Sequence, residues 1–269
     1  MAIRVNGISI HYTLQGDEFA PVITLSHSLA TNLSMWEPQM EALLPSYRVL
    51  RYDTRGHGKT EASQGPYSLE MLAEDVLELL RALGIEKTIF MGISMGGMIG
   101  QMLALIAPEK LSGLILCDTA SRIPEEARSV WSDRIEAVQK KGMECQVKPT
   151  IERWFTPHFR HKRPEVVQRV ESMIRATNVD GYIGCAHAIR ALDLTEKIGG
   201  IRVPTLIVVG EEDPGTPVFA SEEIQQRIKG SELVVLESAA HLSNIEQREA
   251  FNEALLNFLR KIDAKDRRD

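Results

Sequence analysis

The stretch from Lys87 to Ala107 constrains this chain more than any other. It reads as an apolar run (KTIFM), then Gly92-Ile93-Ser94-Met95-Gly96-Gly97, then GMIGQMLALIA. A strand that becomes a helix across a single serine forces that serine into a strained backbone, and the glycines two positions to either side remove side chains that would clash. The Ser94 hydroxyl then stands above the strand ends as a candidate nucleophile. The N–H of Met95 opens the following helix and is a natural donor to a developing oxyanion. A glycine–serine–glycine triplet alone is common by chance, so the flanking strand and helix carry its meaning.

Around this turn, short apolar runs alternate with helical patterns, which predicts an α/β protein with a mostly parallel sheet flanked by helices. The strand candidates are ISIHYTLQ, PVITLSH, YRVLRYD, KTIFMGIS, LSGLILCDT, TLIVVGEED and ELVVLESAAH. Their continuous Ile/Val/Leu runs suit strands buried on both faces. The first two, joined through Gly16, Asp17 and Pro21, are expected to form an antiparallel edge. Ser68 is expected to cap a helix through LEMLAEDVLELLRALG, with Leu69, Leu72, Ala73, Val76, Leu79, Leu80 and Leu83 on its buried face and Gly84 past its end. A last helix is expected over residues 246 to 262, with KDRRD as a solvated tail. Residues 123–195 hold no strand run and read as several helices. The chain of 269 residues is therefore expected to build one core, residues 1–122 and 196–269, with a helical cap inserted over 123–195.

A serine nucleophile needs a base, and the base needs an orienting acid. Asp213 follows the run TLIVVG in the loop GEEDPGTP, and His241 follows ELVVLESAA. Both fall at the carboxyl ends of predicted strands, the rim where sheets of this kind place ligands. Taken singly, each has a plainer reading, as an acid capping the helix near Pro217 and a histidine capping the last helix. Glu211 and Glu212 are the rival acids. The loop after PVITLSH supplies the second oxyanion donor by position, Leu29 N–H or that of the neighbouring Ser28. The charged turn Asp53-Thr54-Arg55-Gly56-His57-Gly58 is read as structural, Asp53 and Arg55 pinning a tight turn beside the serine. His57 is a possible competing base.

The remaining residues narrow the class. His11, His158, His161 and His187 share no ligand spacing, so no metal is expected. Cys117, Cys145 and Cys185 are scattered, which fits buried reduced thiols in a cytoplasmic protein. A net charge of −6 argues against nucleic acid as partner, and an anionic ligand needs a local cationic pocket. No apolar run is long enough for a bilayer, and the alternating amino-terminal stretch has no signal-peptide core.

Seven stretches carry a resemblance that covers nearly the whole chain: SHSLATNLSMWEPQ, RYDTRGHGKT, GISMGGMIGQ, ERWFTPHF, GYIGCAHAIRALDL, GEEDPGTP and AAHLSNIEQREAF. The sequence resembles the 3-oxoadipate enol-lactonases of the α/β-hydrolase superfamily, which open a lactone in the β-ketoadipate pathway of aromatic degradation. RWFTP and HLSNIEQ are the more specific of these motifs; His27 and Ala30 depart from the pattern, which has a small polar residue and a glycine there. The resemblance implies an α/β-hydrolase fold, a Ser94–His241–Asp213 triad, a small lactone or ester substrate and no cofactor. Because the lactone carries a free carboxylate, Arg134 with Trp131, Trp154 or Arg190 become candidates for facing it from the cap. The plainer reading makes the tryptophans cap core and the arginines solvated. Another lactonase, such as an acyl-homoserine lactonase, a carboxylesterase, a perhydrolytic relative and a receptor-like binding module are the rival readings.

Overall fold

Among the residues that the computed structural model describes, 1–266, eight strands form one sheet. They are β1 (Ala2–Val5), β2 (Ile8–Gln15), β3 (Val22–Ser26), β4 (Arg48–Tyr52), β5 (Thr88–Ile93), β6 (Leu111–Cys117), β7 (Thr205–Gly210) and β8 (Glu232–Leu236). Their spatial order is β1-β2-β4-β3-β5-β6-β7-β8. Pairing is antiparallel through β1, β2 and β4 and parallel from there on.

The order corrects one expectation. β2 and β3 do not pair; β4 lies between them. Burial alone does not choose between β3 and β4, which share one pattern; it does set β2 apart from both. β2 alternates buried and half-buried positions, as a strand near an edge does, whereas β3 is almost continuously buried and belongs inside the parallel stack. The antiparallel partners of β2 are instead β4 and β1, the latter joined to it through a hairpin at Asn6 (φ 46°) and Gly7 (φ 78°). Asn-Gly is the residue pair that such a turn favours.

Helices cover both faces of the sheet. They are α1 (Glu37–Leu43), α2 (Leu69–Ala82), α3 (Met95–Ile106), α4 (Glu125–Lys141), α5 (Glu144–Trp154), α6 (Pro157–Lys162), α7 (Pro164–Ala176), α8 (Val179–Arg190), α9 (Val218–Arg227), α10 (Ser243–Glu246) and α11 (Arg248–Asp266). Two successive residues of β6 show the layering, because adjacent strand residues point to opposite faces. A side chain at Gly113 would meet Ile262 of α11, while Leu114 packs where Gly100 of α3 lacks a side chain. The predicted cap on α2 is present, with Ser68 Oγ accepting from Met71 N at 3.2 Å. The final helix starts two residues later than expected and runs to Asp266; the last three residues of the predicted tail lie outside the described residues.

Helices α4 to α8 occupy the chain between β6 and β7. They meet the core closely. Gly56 and Gly181 are packed backbone to backbone, so that a Cβ on Gly56 would lie 2.3 Å from Gly181 Cα. Leu242 N donates to Trp154 O at 3.1 Å, and the Glu246 carboxylate accepts from Thr156 N at 3.1 Å and Ala240 N at 3.0 Å.

Candidate active site

Ser94 has φ 55° and ψ −116°, the strained conformation expected where β5 turns into α3. Its neighbours permit it: a Cβ on Gly92 would lie 2.1 Å from Gly96 O, and one on Gly96 would lie 2.2 Å from Ser26 O. The turn is held by Ser94 N donating to Cys117 O at 2.8 Å and by Thr119 Oγ1 donating to Ser94 O at 2.8 Å. The end of β6 and the loop after it thus lock the residue whose hydroxyl faces the cavity.

His241 and Asp213 complete a line of hydrogen bonds. His241 Nε2 lies 2.9 Å from Ser94 Oγ, and its Nδ1 lies 2.7 Å from Asp213 Oδ2. An ionised carboxylate only accepts, so the Nδ1–H proton points to Asp213 and Nε2 is left free to take the serine proton. Asp213 is buried, which opposes its charge. The His241 imidazole, the Thr216 hydroxyl at 2.6 Å and the Thr216 and Gly215 N–H groups outweigh that burial and hold the carboxyl below its usual pKa. The rivals Glu211 and Glu212 are exposed.

The oxyanion candidates stand beside the serine. Register places Ser26 of β3 against Gly92 of β5, so the loop after β3 and the turn after β5 leave the sheet side by side. Leu29 lines the same cavity as Ser94, and Met95 opens α3, whose first N–H groups have no intrahelical acceptor. Ser28 is the weaker alternative, because its N–H donates to Met35 Sδ at 3.4 Å.

His27 and His57 lie behind this loop, both buried. Thr54 N donates to His27 Nε2 at 2.9 Å, and His27 Nδ1 donates to Ser28 O at 2.8 Å. This fixes a neutral tautomer, and burial lowers the pKa of His27. His57 donates from Nδ1 to Arg55 O at 3.1 Å. Burial, with His27 adding to it, pushes its pKa down to about 3. Asp53 accepts from Leu33 N and Lys59 N and pairs with His11. Arg55 pairs not with Asp53 but with Asp75 of α2, at 2.6 and 2.7 Å.

A cavity of about 380 Å³ rises from Ser94 and His241 between the sheet rim and helices α4, α5 and α8 of the segment expected to form the cap. Trp131, Arg134 and Trp154 all line it; Arg190 does not, and donates to Ser132 Oγ instead. Trp154 stacks on the His241 ring at 6.2 Å between centroids, and the Arg134 guanidinium sits 4.7 Å over the Trp131 ring. Arg153 lines the same wall. Among the described residues neither Arg134 nor Arg153 has an ion-pair partner. Burial, reinforced by the neighbouring Arg134 charge, lowers Arg153 to about 10.

Three residues at this site are not singled out by sequence pattern. Arg153 follows Glu152 on a cap helix and looks solvated. Glu246 ties the cap at Thr156 to the His241 loop at Ala240. Asp118, after β6, has φ 42° and is fully buried. It accepts from Gly210 N at 2.8 Å and from the Ser243 hydroxyl at 2.5 Å, bracing the loops that carry Asp213 and His241. Burial and the nearby Asp213 charge raise its pKa well above the usual carboxylate value. The only sequence signal in these three is an acid at the end of a buried strand.

The doubly covered sheet, the serine turn after β5 and the rim loops after β7 and β8 define an α/β hydrolase. Residues 21–247 match the family described as alpha/beta hydrolase fold, and the chain belongs to that family. Within it, the resemblance to 3-oxoadipate enol-lactonases holds over nearly the whole length. The chain is 36% identical to 3-oxoadipate enol-lactonase 2 of Acinetobacter baylyi, covering 94% of each sequence. It is 38% identical to 3-oxoadipate enol-lactonase 1 of the same organism, covering 97% of each. The crystal structure of the enol-lactonase from Burkholderia xenovorans LB400 superposes with a TM-score of 0.94 at 39% identity, over 96% of this chain and 99% of that one. No helix among the described residues is long and apolar enough to cross a membrane.

Proposed function

We propose that this chain hydrolyses 3-oxoadipate enol-lactone to 3-oxoadipate, with Ser94 as nucleophile, His241 as general base and acid, and Asp213 as the orienting carboxylate. The observation that carries the reading is the Asp213–His241–Ser94 hydrogen-bond line, set in a cavity whose cap wall presents two guanidiniums without ion-pair partners. The enol-lactonase relatives support the same substrate.

His241 Nε2 takes the Ser94 proton as Oγ attacks the lactone carbonyl, and Asp213 stabilises the imidazolium that forms. The N–H groups of Leu29 and Met95 receive the oxyanion; one such donor contributes ~100–1000-fold in rate. Collapse breaks the ring C–O bond as the His241 imidazolium gives its proton to the leaving oxygen, an enol still tethered to the acyl-enzyme. An alcohol held there recloses the ring at high effective molarity. An enol escapes by ketonising, which removes the nucleophile and drives the reaction forward. Water, deprotonated by His241, then frees the acyl group from Ser94. Trp154, stacked on His241, shields the imidazole, while Arg134 and Arg153 receive the substrate carboxylate, with Trp131 positioning the Arg134 guanidinium.

Steady-state hydrolysis of the enol-lactone beside a neutral ester and an acyl-homoserine lactone tests this reading. A strong preference for the enol-lactone, abolished by Ser94→Ala, is expected. Turnover of the neutral substrates alone would leave the triad in place and discard the carboxylated substrate.

A further inference from the structure

The cavity lining is of two kinds. One part carries Arg134 and Arg153, both half-buried. The other comes from the N-terminal halves of α4 and α9, Val130 standing one helical turn before Arg134, and its side chains are apolar. Phe219 is 67% exposed and Val130 46% exposed, two of the few large apolar side chains the described residues leave in solvent. Ala127 and Pro217 continue the same surface. The charged residues beside this part, Arg122 and Glu223, are paired with each other at 3.2 Å, so neither offers a free charge to a ligand. A volume of about 380 Å³ falls in the range of sites that enclose drug-sized ligands, ~300–1000 Å³, and a small lactone leaves part of it unfilled.

We propose that the Phe219–Val130 lip is an alkyl-binding subsite, giving the enzyme a second class of substrate: lactones and esters whose acyl portion bears an unbranched alkyl arm. The arm lies along Phe219, Val130, Ala127 and Pro217 while the carbonyl sits at Ser94. This rests on the serine-hydrolase reading above but not on the carboxylated substrate. The bond chemistry is unchanged. The acyl C–O bond breaks, water supplies hydroxyl to the acyl carbon and a proton to the leaving oxygen, and nothing is oxidised or reduced. Two exposed apolar side chains lining a reactive cavity offer a surface that water wets poorly, and each methylene laid on it leaves water as well.

The experiment compares two series of increasing alkyl length: ring-alkylated enol-lactone carboxylates, and neutral 4-nitrophenyl alkanoates. The expected kcat/KM rises with each methylene by a factor approaching about four, the fold-change for complete burial of one CH₂, until the lip is filled. Phe219→Ser combined with Val130→Ser flattens that dependence in both series. Both positions are exposed, and an unchanged thermal midpoint for the double variant confirms that it folds. A kcat/KM that is flat or falls with chain length in both series, or a rise that survives the double substitution, overturns the subsite. Turnover of the alkanoates with the rising dependence, but none of any carboxylated lactone, sinks the enol-lactone reading and leaves the subsite standing.

Discussion

The rim of the sheet and the wall of the cap meet at one cavity but are built on opposite plans. On the rim, Ser94, His241 and Asp213 are buried, and every polar atom in the line has a partner. On the cap wall, Arg134 and Arg153 are half-buried and have no ion-pair partner among the described residues; Arg134 lies over the Trp131 ring and Arg153 donates to Thr150 Oγ1. A constellation on strand ends is held from several sides and tolerates little change. One on helix faces keeps free charge for a ligand to satisfy. On the proposed function, the chemistry is therefore rigidly specified and selectivity falls to groups that are costly to leave empty.

The largest effects should come from the rim and be blind to substrate charge. Ser94→Ala or His241→Ala is expected to lower kcat by ~10⁶-fold, and Asp213→Asn by ~10⁴-fold through the wrong imidazole tautomer, equally for enol-lactone and neutral ester. A loss confined to one substrate would break the contrast drawn between the regions. The cap should behave oppositely. Replacing both Arg134 and Arg153 by Ala is expected to cost about 100-fold in kcat/KM for the carboxylated lactone, the scale of charge-assisted hydrogen bonds, with neutral esters changed less than about threefold. Replacing only one should cost less, because the other guanidinium still reaches the carboxylate.

Asp118 tests how the rim is held. Asp118→Ala removes the acceptor of Gly210 N and the Ser243 hydroxyl and is expected to lower kcat by about tenfold with KM unchanged. Asp118→Asn should recover most of this. If Asp118 is neutral, the direction in which burial beside Asp213 pushes it, the pH profile of kcat/KM for the Asn variant keeps the wild-type acid limb; a displaced limb would show that Asp118 is charged.

The last prediction concerns stability and leaves the rate at neutral pH untouched. His27 and His57 are buried neutral, with pKa values below the unfolded value of ~6.5. Between the folded and unfolded values the unfolded chain binds the extra protons, so stability is complete above pH ~6.5 and is lost as pH falls toward the folded values. The expected slope is about 1.4 kcal/mol per pH unit for each histidine. Urea midpoints between pH 7 and 5 should fall for the wild type and fall less for His57→Gln. Equal slopes would assign the acid sensitivity elsewhere.

Much of the rim was legible in the sequence because it is local. Gly92, Ser94 and Gly96 announce the turn within five residues, and Asp213 and His241 each follow an apolar run directly. The exchange of β3 and β4 was not legible, since an apolar run of either strand fits either place and only sheet pairing decides. Nor was Arg153, which only helix packing brings to the cavity, nor Glu246 and Asp118, which act through partners distant in the chain: Glu246 on Thr156, Asp118 on Gly210 and Ser243.

By itself the sequence determined the alternation of strand and helix, the serine turn and the rim position of acid and base. Those follow from hydrogen bonding and side-chain clash within a few neighbouring residues. Only the tertiary structure decided which cap arginines face the serine. Arg134, Arg153 and Arg190 all sit on cap helices with similar local surroundings, and the packing of α4 against α5 and α8 turns the first two inward and leaves the third at Ser132.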